Sequence, residues 1–212
     1  MTGVEGTAPP GPEPTATPSA GHPVAPAGLA RVQAFVNTAD LENDVDELDS
    51  PVALAAWLAG HGLPAGNGHL DADDVTRARA TREALRDILG GNAGHAVDPA
   101  SIAALDAAAA AVPLAVRFDA GGRPTLRPTG RGLAAALGVL LADIATAVAD
   151  GTWVRLKTCR SDTCRWAYWD GSKNRSGAWC SMAVCGNRMK GRAYRRRRRQ
   201  ANAATRAGPA GS

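Results

Sequence analysis

The sequence has no histidine beyond His95 and no cysteine before Cys159. Aromatic residues make up only 4% of its 212 residues, and residues 151–212 hold just two acids, Asp162 and Asp170. Each scarcity excludes something. With so few aromatics, a core must be built largely from Ala, Leu and Val, a composition that favours helices. No run approaches the roughly 20 apolar residues of a membrane span. The opening MTGVEGTAPPGPEP lacks the basic and apolar regions of a secretory signal. The expectation is a cytoplasmic chain with no membrane partner and with reduced thiols. His22, His61, His69 and His95 lie in loops or the tail, and no serine, aspartate or cysteine joins them in a recognisable catalytic pattern. They read as surface residues, no catalytic residue is assigned, and an enzyme is not expected.

Charge divides the chain. Residues 1–150 contain 9 Lys+Arg and 18 Asp+Glu, a balance of −9, whereas residues 151–212 contain 15 and 2, a balance of +13. The basic part suits a polyanion, because Lys and Arg gain by releasing counterions from phosphates. A solvated tail or contact with an acidic membrane is the plainer alternative.

Residues 1–28 hold seven of the fourteen prolines without periodicity and read as a disordered tail. Leu29, Val32, Phe35 and Val36 mark a short helix ending near Asn37-Thr38. The acidic stretch from Asp40 to Asp49 reads as an exposed loop and lacks the glycine and terminal glutamate of a calcium loop. Asp49-Ser50-Pro51 starts a helix that runs to Gly60. The glycine-rich loop 60–68 lacks the Lys-Ser/Thr ending of a phosphate loop. Leu70 and Asp71 open a longer helix to about Leu89, which Gly90-Gly91 should stop. Asp98-Pro99 caps another helix. Residues 112–118 and 124–128 form a hairpin across the turn 119–122, and Gly130 to Asp150 form a long apolar helix. Residues 29–150 are thus expected to be a mainly α domain with a small β-hairpin.

The last third is organised around Cys159-Arg-Ser-Asp-Thr-Cys164 and Cys180-Ser-Met-Ala-Val-Cys185, four cysteines within 27 residues. Thr152 to Lys157 reads as a strand entering the first pair, and Asp170 to Asn174 as a turn. The order of knuckle, hairpin, second pair and helix is the plan of a treble-clef-like α+β zinc finger. Four thiolates suit a closed tetrahedral Zn2+ with structural rather than chemical work to do. Disulfides and a redox or cluster site are the alternatives. The tryptophans Trp153, Trp166, Trp169 and Trp179 should pack around the metal. The lack of a histidine here weighs against a histidine-dependent treble-clef nuclease.

A basic helix should begin near Cys185. At 100° per residue, Cys185, Met189, Ala193 and Arg196 share its inner face, with Arg188, Arg195 and Arg199 on one flank. Asn187, Arg188, Lys190 and Arg192 are candidate contacts to the major groove of double-stranded DNA, and Arg195, Arg196, Arg197, Arg198 and Arg199 candidate phosphate contacts. Zinc-stabilised binding of RNA or of an acidic protein surface is the alternative.

The stretch Trp179-Cys-Ser-Met-Ala-Val-Cys185-Gly-Asn-Arg188, with Cys159, Cys164 and Asp170-Gly-Ser-Lys-Asn174 upstream, resembles the CGNR zinc-finger signature. Phe35-Val-Asn37-Thr38, the acidic stretch and Asp49-Ser-Pro-Val-Ala-Leu-Ala-Ala-Trp57-Leu58 resemble the ABATE domain that accompanies this finger. The resemblance implies a bacterial, nucleoid-associated, stress-linked transcription regulator with zinc on the four cysteines, its finger spanning 151–200 before a disordered tail at 201–212. It also implies that domain 29–150 senses a small molecule or a protein partner. The division of charge suggests that the acidic domain lies against the basic helix and restrains it. Oligomeric state is not legible.

Overall fold

The computed structural model describes residues 23–64 and 69–206. The tail expected at 1–28 falls outside these up to residue 22, as do residues 65–68 of the glycine-rich loop and 207–212. Ala25 is already buried, and the first helix, α1, begins at Ala27.

The described elements are α1 (Ala27–Val36), β1 (Ala39–Asp40), β2 (Val45–Asp46), α2 (Pro51–Gly60), α3 (Ala72–Asn92), α4 (Pro99–Ala110), β3 (Leu114–Phe118), β4 (Pro124–Pro128), α5 (Gly132–Ala149), β5 (Leu156–Thr158), β6 (Ala167–Trp169) and α6 (Asn187–Arg206). Among the described residues the strands form three separate antiparallel pairs, β1–β2, β3–β4 and β5–β6. The chain is therefore mainly helical, with a β-hairpin in its first part and a small finger at its end.

Local chemistry starts the helices where the sequence predicts. The Ser50 hydroxyl accepts from the Ala53 amide ahead of Pro51, and the Asp98 carboxylate accepts from the Ala100 amide ahead of Pro99. Asp71 and Asp74 form a reciprocal capping box on α3. Leu29, Val32, Phe35 and Val36 of α1 meet Leu133, Ala136, Leu137 and Leu140 of α5 and Ala78, Leu85 and Leu89 of α3 in one core. Among the described residues, α5 alone is long and apolar enough to cross a membrane, which the sequence reading did not expect. Here its apolar face lines this core. A Cβ at Gly138 would lie 2.6 Å from Pro128 and 2.8 Å from Val112, so the bare backbone lets the hairpin reach α5.

Four expectations need correction. The tail expected from residue 201 is helical as far as Arg206, the end of α6. Gly90 and Gly91 do not stop α3, which continues to Asn92. A Cβ on Gly91 would lie 2.7 Å from Val97, so this glycine serves close packing within the helix. The acidic stretch is not simply an exposed loop. β1 and β2 pair within it, Leu48 is fully buried, and the Asp46 carboxylate receives both Arg82 Nη atoms at 2.7 and 2.9 Å. The strand expected from Thr152 to Lys157 is instead a 3-10 turn, Trp153–Arg155, followed by β5.

Candidate metal centre

β5 delivers Cys159 and β6 follows Cys164. Between them the Ser161 carbonyl accepts from the amides of Cys164 and Arg165, and Arg165 turns through a positive φ of 48°. The Cys159 amide donates to the Trp166 carbonyl, so the turn closes as a knuckle. Of the second pair, Cys180 precedes and Cys185 sits on a π-helical turn, Met182–Gly186, capped by the Ser181 hydroxyl, which accepts from Val184. At Gly186 a Cβ would meet Met182 Sδ at 2.7 Å and Trp179 Cδ1 at 3.3 Å, so glycine lets that turn close over the site.

The four sulfurs converge. All four cysteines are buried free thiols, and their Sγ atoms lie within 4.8 Å of one another. Cys164 and Cys180 are 3.6 Å apart, and Cys180 and Cys185 3.7 Å. A tetrahedral zinc with bonds of about 2.3 Å requires sulfur–sulfur edges of about 3.8 Å, whereas a disulfide requires about 2.05 Å. The donor set thus fits a four-thiolate metal. Without a cation it cannot hold four negative charges. Hydrogen bonds from the Cys164 and Cys180 thiols lower the pKa of Cys159, whereas the bond to Cys159 raises that of Cys164. Cys180 is driven up chiefly by its bonds to Cys159 and Cys164, and Cys185 chiefly by burial. Trp166 and Trp179 pack against the cluster, as the sequence suggests, while Trp153 and Trp169 pack against the larger core.

The loop between the pairs is pinned by a buried ion pair. Lys157 Nζ donates to Asp170 Oδ2 at 2.7 Å, and the same oxygen accepts from the Gly177 amide at 2.8 Å. Burial would raise the Asp170 carboxyl, but its bonds to Lys157 and Ser172 prevail and hold it at about 2.

Sequence reasoning missed how the finger is mounted. The Asn37 side chain pairs with the Ala167 backbone in both directions, at 2.9 and 2.7 Å, as an added strand residue would. Arg86 is fully buried and donates to the carbonyls of Val36, Ala39 and Arg165. Asn92 donates to Trp153 and Leu156, and Arg160 to Ala93. Arg165 meets Asp87 at 3.3 Å. Arg79, Arg82 and Arg86 follow apolar helical spacing on α3, and that was the available signal.

The basic helix is placed directly after the cysteine turn, as α6. Cys185 and Gly186 are buried, Met189 and Ala193 half-buried, and every described side chain beyond Ala193 is exposed. Arg196, expected on the inner face, is therefore exposed, because α6 runs past the body that would have covered it. Asn187, Lys190, Arg192, Arg195, Arg197, Arg198 and Arg199 are exposed as well, so no single cluster gathers them. Arg188 differs. Its Nη1 donates to Glu42 of the acidic stretch at 2.6 Å, which raises its pKa.

Two family models match this arrangement. One, described as a putative stress-induced transcription regulator (ABATE), covers residues 29–151, and one described as the CGNR zinc finger covers residues 155–198. No curated protein matches the chain.

Proposed function

This chain belongs to the ABATE family and carries a CGNR zinc finger, and from that premise we propose that it is a zinc-dependent, DNA-binding transcription regulator. The observation that carries this reading is the convergence of four thiols, with zinc-sized edges, at the root of an exposed basic helix. Cys159, Cys164, Cys180 and Cys185 hold the ion, which fixes the fold of the finger and leaves no coordination position for a reaction. The families are described as a regulator and a zinc finger, not as enzymes.

Asn187, Lys190 and Arg192 lie within two turns of the metal, so the site sets their direction, and they are the candidates for base edges. Arg195 to Arg199 lie farther along the exposed helix and suit phosphates. The Arg188–Glu42 pair supports restraint of this helix by the acidic stretch, because an arginine so engaged is not free for a groove.

The effector reading rests on a cavity of about 570 Å³ between α3, α4 and the start of α5. Its walls include Ala104, Ala107, Val112, Leu133 and Leu137, with Arg131 among its polar members. This volume falls in the range of small-molecule sites.

The test is selection of bound sequences from a random duplex pool by the full zinc-loaded chain, with a chelator control and structured RNA as competitor at matched salt. Metal-dependent enrichment of one duplex motif supports the reading. Preference for RNA, or binding indifferent to sequence and metal, overturns it.

A further inference from the structure

The two edges of the β3–β4 hairpin are chemically different. The Thr129 amide donates to the Pro113 carbonyl and the Asp119 amide to the Arg123 carbonyl, both at 3.0 Å. With the register Ala115↔Arg127 and Arg117↔Thr125, this makes the odd-numbered β3 positions the ones that exchange bonds inside the hairpin. Leu114, Val116 and Phe118 therefore turn their backbone groups outward on one edge, and Pro124, Leu126 and Pro128 on the other.

The β4 edge is closed. Two of its three outward positions are prolines, which have no N–H to offer, and β4 is the strand beside α5. The β3 edge is open. Among the described residues β3 pairs with β4 alone, and its outward positions carry large apolar side chains exposed by 37% at Leu114, 58% at Val116 and 72% at Phe118. Such an edge is a template for another strand.

We propose that β3 is a dimerisation strand that pairs antiparallel with β3 of a second copy about a two-fold axis through Val116. The strand Leu-Ala-Val-Arg-Phe is complementary to itself in this register. Val116 faces Val116, Leu114 faces Phe118, and Arg117 faces Ala115 of the other copy. Large apolar residues meet one another, and no like charges stand directly opposite. The outward backbone groups of Leu114, Val116 and Phe118 are the ones this register needs. Because the β4 edge is blocked by proline, each copy offers one edge only. Pairing closes at two chains and a four-stranded sheet, rather than continuing as a filament. The surface lies on the first domain and involves neither the cysteines nor α6, so the inference is independent of the DNA reading.

The experiment is sedimentation equilibrium of the full zinc-loaded chain without nucleic acid, compared with Val116→Pro and Val116→Lys. The Val116 N–H makes no bond inside the hairpin, so proline there should be tolerated as Pro124 and Pro128 are. The expected result is a wild-type dimer whose Kd rises by at least about tenfold in each variant, with the circular dichroism unchanged. Where the proline variant fails to fold, the lysine variant decides. Register is read by oxidising the zinc-loaded Val116→Cys and Ala115→Cys chains. The first should cross-link between chains and the second should not. A wild-type chain that stays monomeric, a dimer indifferent to both substitutions, or cross-linking through position 115 instead of 116 overturns the proposal. A monomer that instead captures a foreign strand at this edge overturns it too.

Discussion

The domain of α1–α5 and the cysteine finger hold their shapes by different means. The first buries leucines, valines and alanines, chiefly from α1, α2, α3 and α5, in one core and caps its helices with Ser50, Asp71 and Asp98. The second has a cluster of only four cysteines and Tyr168, with Trp166 and Trp179 against it. Where the domain has leucine, the finger has sulfur. It also borrows, because Leu156 and Ala167 of its two strands belong to the larger core, and Asn37, Arg86 and Asn92 bond its backbone. A finger too small for its own core is stabilised from two sides, by metal and by mounting. The mounting also means that a metal on the four thiols would orient α6 relative to the domain, not merely relative to its own turn.

Removing the metal should separate the two regions most sharply. Structural zinc contributes on the order of 10 kcal/mol to finger folding at neutral pH. Chelation or Cys185→Ser should therefore abolish the fold around Trp166 and Trp179 and polyanion binding with it, while α1–α5 stay helical. Tryptophan fluorescence and circular dichroism during a chelator titration, followed by zinc add-back, measure this. Loss of all helical signal in one transition would instead make the halves one cooperative unit.

The seam is the next point of attack. Arg86→Leu leaves carbonyls of Val36, Ala39 and Arg165 without their donor, and a buried acceptor left unpaired costs about 1–3 kcal/mol. The expected loss is about 3 kcal/mol in urea unfolding, with weaker zinc retention, because one of the three carbonyls belongs to the knuckle. An unchanged zinc affinity would mean that the finger does not lean on this residue.

What was legible beforehand follows the range of the interactions. Ser50-Pro51, Asp98-Pro99, the hairpin and the two cysteine pairs act over a few residues, and the sequence displays both partners. Gly90-Gly91 looked like a stop because Val97, which occupies the space a side chain at Gly91 would need, belongs to another segment. The acidic stretch looked exposed because the partner of Asp46 is Arg82, on a helix two elements later. Helical phase placed Met189 and Ala193 correctly on the covered face of α6 and failed at Arg196, since phase says which way a side chain points and not where the neighbouring body ends.

Asp46 offers a test on the domain side through pH. Burial alone would raise its carboxyl, but its bonds to Arg82 and the Leu48 amide prevail and lower it. A carboxylate with a lowered folded pKa gives stability that is full above the unfolded value of about 3.9 and lost as pH falls through the folded one. Asp46→Asn should therefore lower stability by about 1–2 kcal/mol at pH 7 and flatten the dependence below about pH 4. Thermal melts from pH 7 to pH 2.5 read both effects, and a variant curve parallel to wild type would remove Asp46 from the account.

The smallest expected effect concerns the direct contact between acidic stretch and basic helix. Glu42 and Arg188 are each about one-third exposed, 35% and 33% by side chain, so their pair is weak and is screened by salt. Glu42→Gln should nonetheless release the arginine at the second position of α6, tightening duplex binding about two- to fivefold at low salt and hardly at all near 0.5 M salt. Arg188→Ala should lose any benefit of the Glu42 substitution, because the restraint then has nothing to hold. If Glu42→Gln tightens binding equally in the Arg188→Ala background, the effect comes from net charge alone. The acidic domain would then repel a polyanion as a whole rather than restrain the helix through this pair.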